Sequence, residues 1–144
     1  THSGQDYQQW VLLQEVSKAM KAFYDSTVFM NIADRVTTFT MSDFGRSLQP
    51  SGTGTDHGWG SHYFAMGGAV NGQRMYGSFP LMNQNDSAYD PNAFVDNRGV
   101  LLPTTSLAQY GATLAKWFGA SDAQLDVMFP ELPGFSIKNL GFML

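Results

Sequence analysis

Apolar residues recur at helical spacing near the start of the chain and lose that period soon afterwards. Leu12, Leu13, Val16, Ala19, Met20 and Phe23 line one face, with Gln8, Gln14, Lys18 and Lys21 opposite. That predicts an amphipathic helix over Tyr7–Asp25, with Ser3 or Asp6 as its cap. Arg35–Met41 is rich in β-branched residues and predicts a strand. Ser42–Ser61 is polar and glycine-rich, a loop long enough to be functional. His62–Val70 predicts a second strand, interrupted by Gly67-Gly68. Asn71-Gly72 is a turn signal, and Arg74–Phe79 returns as a third short strand. Pro80–Arg98 has no hydrophobic period, and Gly99–Leu102 predicts a further short strand. A helix then starts at Thr105 or Ser106, with Leu107, Tyr110, Leu114, Trp117 and Phe118 on one face and Gly119 as its stop. Ser121 or Asp122 opens another short helix, with Leu125, Met128 and Phe129 inward and Pro130 at its end. Leu140–Leu144 predicts a last strand.

This order of elements is an α/β pattern. In such sheets the chemistry lies beyond the carboxyl ends of the strands, where the long loop falls. The length of 144 residues suits one domain, and 43% hydrophobic content supplies a core. Charged residues make up only 14% of the chain, with a net charge of −4. That is low for a lone small domain and points to a surface covered by the remainder of its own chain or by a second chain. The opening Thr1-His2-Ser3-Gly4 reads as the interior of a longer protein, and the isolated chain is expected to fold poorly. No basic cluster suits nucleic acid. No apolar run reaches the ~18 residues of a membrane span. The absence of cysteine excludes disulfides and thiolate metal sites.

Asp56-His57-Gly58 carries the most chemistry. It lies within Gly52-Thr53-Gly54-Thr55-Asp56-His57-Gly58-Trp59-Gly60, where side-chain bulk is small. A carboxylate beside a neutral imidazole suits a divalent ion, zinc first and manganese, magnesium or calcium next. The competing reading is a polar turn in which Asp56 caps its own backbone and His57 is solvated.

Several motifs in order resemble one family. They are Thr1-His2-Ser3 ahead of a helix, Ser42-Asp43-Phe44-Gly45-Arg46 after a strand, Asp56-His57-Gly58, the run from Met66 to Gly77, and Leu102-Pro103-Thr104-Thr105-Ser106. Phe129-Pro130-Glu131-Leu132 and Leu140-Gly141-Phe142 complete the set. The chain resembles the DUF1501 proteins, a sulfatase-like group within the alkaline phosphatase superfamily. The resemblance implies a three-layer sandwich, a mostly parallel sheet between helices, of which residues 1–144 are the carboxyl-terminal portion of a single domain. It also implies export to the periplasm or the cell exterior, and an upstream segment carrying the nucleophile. The family's opening motif is Asp-Thr-His, so its aspartate would precede Thr1.

By resemblance, Asp56 and His57 hold one metal, and His2 belongs to the set that holds a second. Two ions would share the hydrolysis, one activating the nucleophile and one stabilising the leaving oxygen. His62 is either a third imidazole at the site or a strand residue bonded to backbone. Arg46 is the candidate catalytic residue, its planar fork suited to a phosphate or sulfate ester. Its alternative is an ion pair with Asp43 that braces the loop. Trp59 either walls the site or packs under it. Three functions stay open: a metal-dependent hydrolase of small anionic esters, a non-catalytic scaffold with the same fold, and a structural metal-binding domain.

Overall fold

A computed structural model describes residues 1–79 and 98–144. The elements are α1 (Gln5–Phe29), a 3-10 helix (Ala33–Arg35), β1 (Thr37–Phe39), β2 (Gly45–Ser51), β3 (Gly54–Gly58), β4 (Ala65–Gly67), α2 (Leu107–Trp117), α3 (Asp122–Met128) and a second 3-10 helix (Leu132–Gly134). The chain divides into two compact units. One holds Thr1–Gly68 together with the described end, 98–103, of Pro80–Pro103; the other holds Ala69–Phe79 and Thr104–Leu144. Nearly all of the aperiodic Pro80–Arg98 stretch lies outside the described residues.

In the first unit, α1 exceeds its predicted span at both ends. Neither Ser3 nor Asp6 caps it. The cap is Gly4, in the left-handed region at φ 60°, with no side-chain cap bond. At the far end Asn31 takes φ 57°, a conformation its short polar side chain tolerates. Its N–H then reaches the Val28 carbonyl, and that of Ile32 reaches Thr27, which closes the last turn. The predicted apolar face is present but poorly covered. Leu12, Leu13, Val16 and Phe23 stand 45–53% exposed, and Thr27 is the buried residue of the helix.

The expected parallel sheet between helices is contradicted. Among the described residues the two sheets each have two antiparallel strands, β1 with β4 and β2 with β3. The physical reason is the length of the β2–β3 connection. Parallel neighbours need a crossover of a dozen or more residues, whereas Gly52-Thr53 joins β2 to β3 directly, with Ser51 opposite Gly54. Gly52 has φ 63° and Thr53 does not share the positive φ. Such a turn, with glycine first, matches the twist of a hairpin.

Ser42–Ser61 is therefore largely a hairpin rather than a long loop, and Asp56-His57 lies inside a strand. The ladder runs Gly45↔Gly58, Arg46↔His57, Pro50↔Thr55 and Ser51↔Gly54, with an irregularity between Arg46 and Pro50. Proline has no N–H for a ladder, so such a break is expected beside it. In the irregular stretch, Leu48 and Gln49 donate instead to the Gly99 and Arg98 carbonyls at 3.1 and 2.9 Å. With the Gly60 N–H, which donates to the Leu101 carbonyl at 2.9 Å, these bonds are what the predicted Gly99–Leu102 strand amounts to among the described residues. The strand predicted over Arg35–Met41 is confined to Thr37–Phe39, and the one over His62–Val70 to Ala65–Gly67.

The second unit keeps the two predicted helices. Ser106 opens α2 with a capping box: its hydroxyl accepts from Ala108 N–H, and the Gln109 side chain accepts from Ser106 N–H. Gly119 follows the last turn at φ 109°. Its N–H bonds Lys116 while that of Ala120 bonds Ala115, the paired bonds that end a helix on glycine. Ser121 opens α3 in the same way as Ser106, with Gln124 as its partner.

The inward face of α2 differs from the predicted one. Ala108, Ala112, Leu125 and Leu132 form the core cluster, with Ala115, Ala120 and Phe129 against it. Of the predicted face, Tyr110 is buried, while Leu107 and Phe118 are 47% and 86% exposed. Small side chains let α3 and the Leu132 turn approach closely. A Cβ at Gly111 would lie 2.8 Å from the Phe129 ring. Arg74–Phe79 forms no strand. The predicted strand at Leu140–Leu144 reduces to one bridge, Val70 with Met143.

Candidate functional site

The hairpin of the first unit receives the chain's N-terminal residues along β3. Gly4 N–H donates to Thr53 Oγ1 at 2.9 Å. Gln5 N–H donates to the Thr53 carbonyl at 2.9 Å, and Thr55 N–H to the Thr1 carbonyl at 3.4 Å. The Thr55 hydroxyl donates to Gln5 Oε1 at 2.6 Å. This strap lays the His2 side chain against the strand that carries His57.

The two imidazoles meet. Their Nε2 atoms are 3.1 Å apart, and the rings are stacked with centroids 5.0 Å apart. Phe44, just ahead of β2, stacks on the His57 ring at a centroid distance of 3.7 Å and an interplanar angle of 10°. Arg46 pairs with His57 in the ladder. Its Nη1 donates to the Thr55 carbonyl at 2.7 Å, and its guanidinium carbon lies 5.4 Å from the Phe44 ring centre. The loop is thus braced by Arg46, through Thr55.

Asp56 is engaged differently. Adjacent residues of a strand face opposite sides. The Asp56 carboxylate accepts from the His57 backbone N–H at 2.8 Å through Oδ1 and pairs with Arg98 at 3.5 Å through Oδ2. The backbone N–H of His57 is the main cause that holds the Asp56 carboxyl below its usual range. Partial desolvation opposes it, and the charges of His2, Arg98 and His57 add to the lowering. Asp56 thus caps the adjoining backbone N–H, but inside β3 and not in a turn, and His57 packs on Phe44 instead of standing alone in solvent. His62 is exposed in the connection between β3 and β4. Among the described residues no three His, Cys, Asp or Glu side chains gather as a cation site. The structure brings His2 and His57 together; Asp56 neighbours His57 in β3 but turns its carboxylate to the His57 N–H and Arg98, and His62 is not gathered with them.

Sequence reasoning missed four contributors: Phe44, Gly54, Thr55 and Arg98. The Gly52-Thr53 pair, a two-residue hairpin signal, was the available clue that Phe44 and Arg46 would face the Asp56-His57 strand.

The donor chemistry of the pair fits a divalent cation. Two imidazoles on one tetrahedral zinc, each bonded at ~2.0–2.1 Å, hold their nitrogens ~3.3 Å apart. The observed 3.1 Å is also hydrogen-bond distance for two neutral rings, one donating and one accepting. The nitrogen separation thus suits both a direct hydrogen bond and a shared ion, the shared ion requiring both rings to turn their in-plane lone pairs toward a common point.

These features define a small antiparallel hairpin domain in which an N-terminal strap completes an imidazole pair. The chain belongs to the DUF1501 family of proteins of unknown function, whose family model matches residues 1–128. No curated protein and no solved structure matches the chain. Among the described residues, no helix is long and apolar enough to cross a membrane.

Proposed function

We propose that the chain is the metal-binding part of a sulfatase-like hydrolase of phosphate or sulfate esters, acting in the periplasm or outside the cell. The supporting observation is the 3.1 Å approach of His2 Nε2 to His57 Nε2, from residues 55 positions apart in sequence. When bound, a divalent ion, zinc first, supplies Lewis-acid polarisation of an ester oxygen.

His2 and His57 would hold that ion, with their rings fixed by the strap and by Phe44. Asp56 adds a carboxylate that stays ionised at neutral pH, because the His57 N–H and nearby cations favour its charged form. Arg46 keeps a fixed positive charge on the same strand pair and orients an anionic group by charge and by its planar fork.

One observation favours a second reading, a metal-binding scaffold without catalysis. Asp56 is tied to Arg98 and Arg46 is tied to Thr55, so both groups already serve the hairpin.

The test uses the full-length protein. Zinc content is measured for the wild type and for His2→Ala and His57→Ala, and turnover of aryl phosphate and aryl sulfate esters is assayed with Zn²⁺, Mn²⁺, Mg²⁺ or Ca²⁺. The hydrolase reading expects stoichiometric metal and turnover that both substitutions abolish. Metal without turnover leaves the scaffold reading. No metal in the wild type removes both.

A further inference from the structure

The His2 ring reaches His57 because one position of β3 has no side chain. A Cβ at Gly54 would lie 2.3 Å from the Thr1 carbonyl oxygen and 2.5 Å from both the His2 carbonyl carbon and its oxygen. All three are backbone atoms, so no rotamer change relieves the clash. Gly54 has no positive φ, so alanine there meets a lack of space and no backbone strain. The glycine is also three residues from His57, on the strand that carries it. Any side chain at this position lifts the strap away from β3 and carries His2 with it.

We propose that Gly54 is a positioning residue for His2, and that docking of residues 1–5 and binding of a divalent cation are coupled through it. This rests on the metal reading above. The strap is held by four hydrogen bonds to Thr53 and Thr55 and by no buried apolar side chain of its own, so its opening is a local event separate from unfolding of the hairpin. An ion shared by His2 and His57 binds only the docked form, and a ligand that binds one form shifts the population toward it. The reverse holds by linkage: whatever undocks the strap weakens the ion by the same factor.

The probe is Co²⁺ alone, titrated into the full-length protein and followed by its visible d–d absorption. Hydrogen exchange at the Gly4, Gln5 and Thr55 amides is followed with and without Zn²⁺. In the wild type the expected result is a Co²⁺ spectrum with nitrogen ligands and slower exchange at the three amides once Zn²⁺ is added. In Gly54→Ala, Co²⁺ affinity falls at least tenfold and the Zn²⁺-dependent slowing disappears. Gly134→Ala, where a Cβ meets nothing within 4 Å, leaves both unchanged. If Gly54→Ala does not fold, Thr53→Val removes the Gly4 acceptor without filling the gap, and a smaller loss of affinity with faster Gly4 exchange is expected.

The outcomes separate the two layers. A wild type that binds no Co²⁺ overturns the metal reading and the coupling together. A wild type that binds through His2 and His57, with Gly54→Ala binding equally well or with strap exchange indifferent to metal, overturns the coupling alone.

Discussion

Replacing Phe44 by alanine removes the ring that lies flat against His57 and tests whether that contact serves the imidazole pair. The rings are 3.7 Å apart at their centres and within 10° of parallel, so the contact limits how far His57 can tilt away from His2. An aromatic pair of this kind contributes ~0.5–1.5 kcal/mol beyond area burial. If all of it goes to holding the His57 rotamer that faces His2, its loss raises the Kd for a shared ion by about 2- to 13-fold. The range is modest because Phe44 touches the ligand residue and never the ion. Competition against a chromophoric chelator, with Zn²⁺ and the full-length protein, resolves a change of that size. Phe44→Leu, which keeps bulk without a flat face, is expected to fall between alanine and the wild type. His57→Ala is expected to lose far more than Phe44→Ala. An unchanged or tighter Kd in Phe44→Ala would refute the idea that the stack positions the imidazole.

Three further outcomes follow from the same physical chemistry. Leu132→Ala empties the centre of the second unit, where Leu132 is 1% exposed against Ala108, Ala112 and Leu125. A loss of ~2–5 kcal/mol is expected from local protection of the α2 amides in hydrogen exchange, and a loss under ~1 kcal/mol would show that the site collapses freely. Ser106→Ala removes the α2 cap and is expected to cost ~1 kcal/mol by the same measurement, whereas Ser136→Ala, exposed and outside a helix, is expected to be neutral. The lowered Asp56 pKa means that its bonds to His57 and Arg98 stabilise the hairpin above the unfolded value and are lost as pH falls through the lower folded value. A carbon-13 titration of the Asp56 carboxyl is expected to show a midpoint below 3.8, and a midpoint at or above it would contradict the geometry described.

The ends of α2 and α3 were the most legible features of the sequence, because a cap is a local arrangement of one side chain and one turn; α1, capped by Gly4 with no side-chain bond, gave no such signal. Ser106, Gly119 and Ser121 stand where their chemistry places them. The strands were less legible. The hairpin from Gly45 to Gly58 has no apolar alternation to announce it, since Ser47, Gln49, Ser51, Thr55 and Asp56 are polar and Pro50 interrupts the ladder. Pairing there rests on a two-residue turn and on long-range backbone bonds, neither of which has a hydrophobic period. The inward face of α2 was misread for a related reason. Large residues dominate a periodicity argument, while close packing on α3 and Phe129 selects Ala108, Ala112 and Gly111.

The meeting of His2 with His57 was expected only through family resemblance, because nothing local connects positions so far apart. The family assignment held, but the parallel sheet inferred with it did not.

The most direct measurement is anomalous diffraction at the zinc edge from crystals of the full-length protein grown with one equivalent of Zn²⁺. The account predicts a single strong peak bonded to both His2 Nε2 and His57 Nε2, at the ~2.0–2.1 Å typical of zinc on imidazole. A zinc peak held by other residues, or no peak with the two rings still hydrogen-bonded to each other, would contradict it.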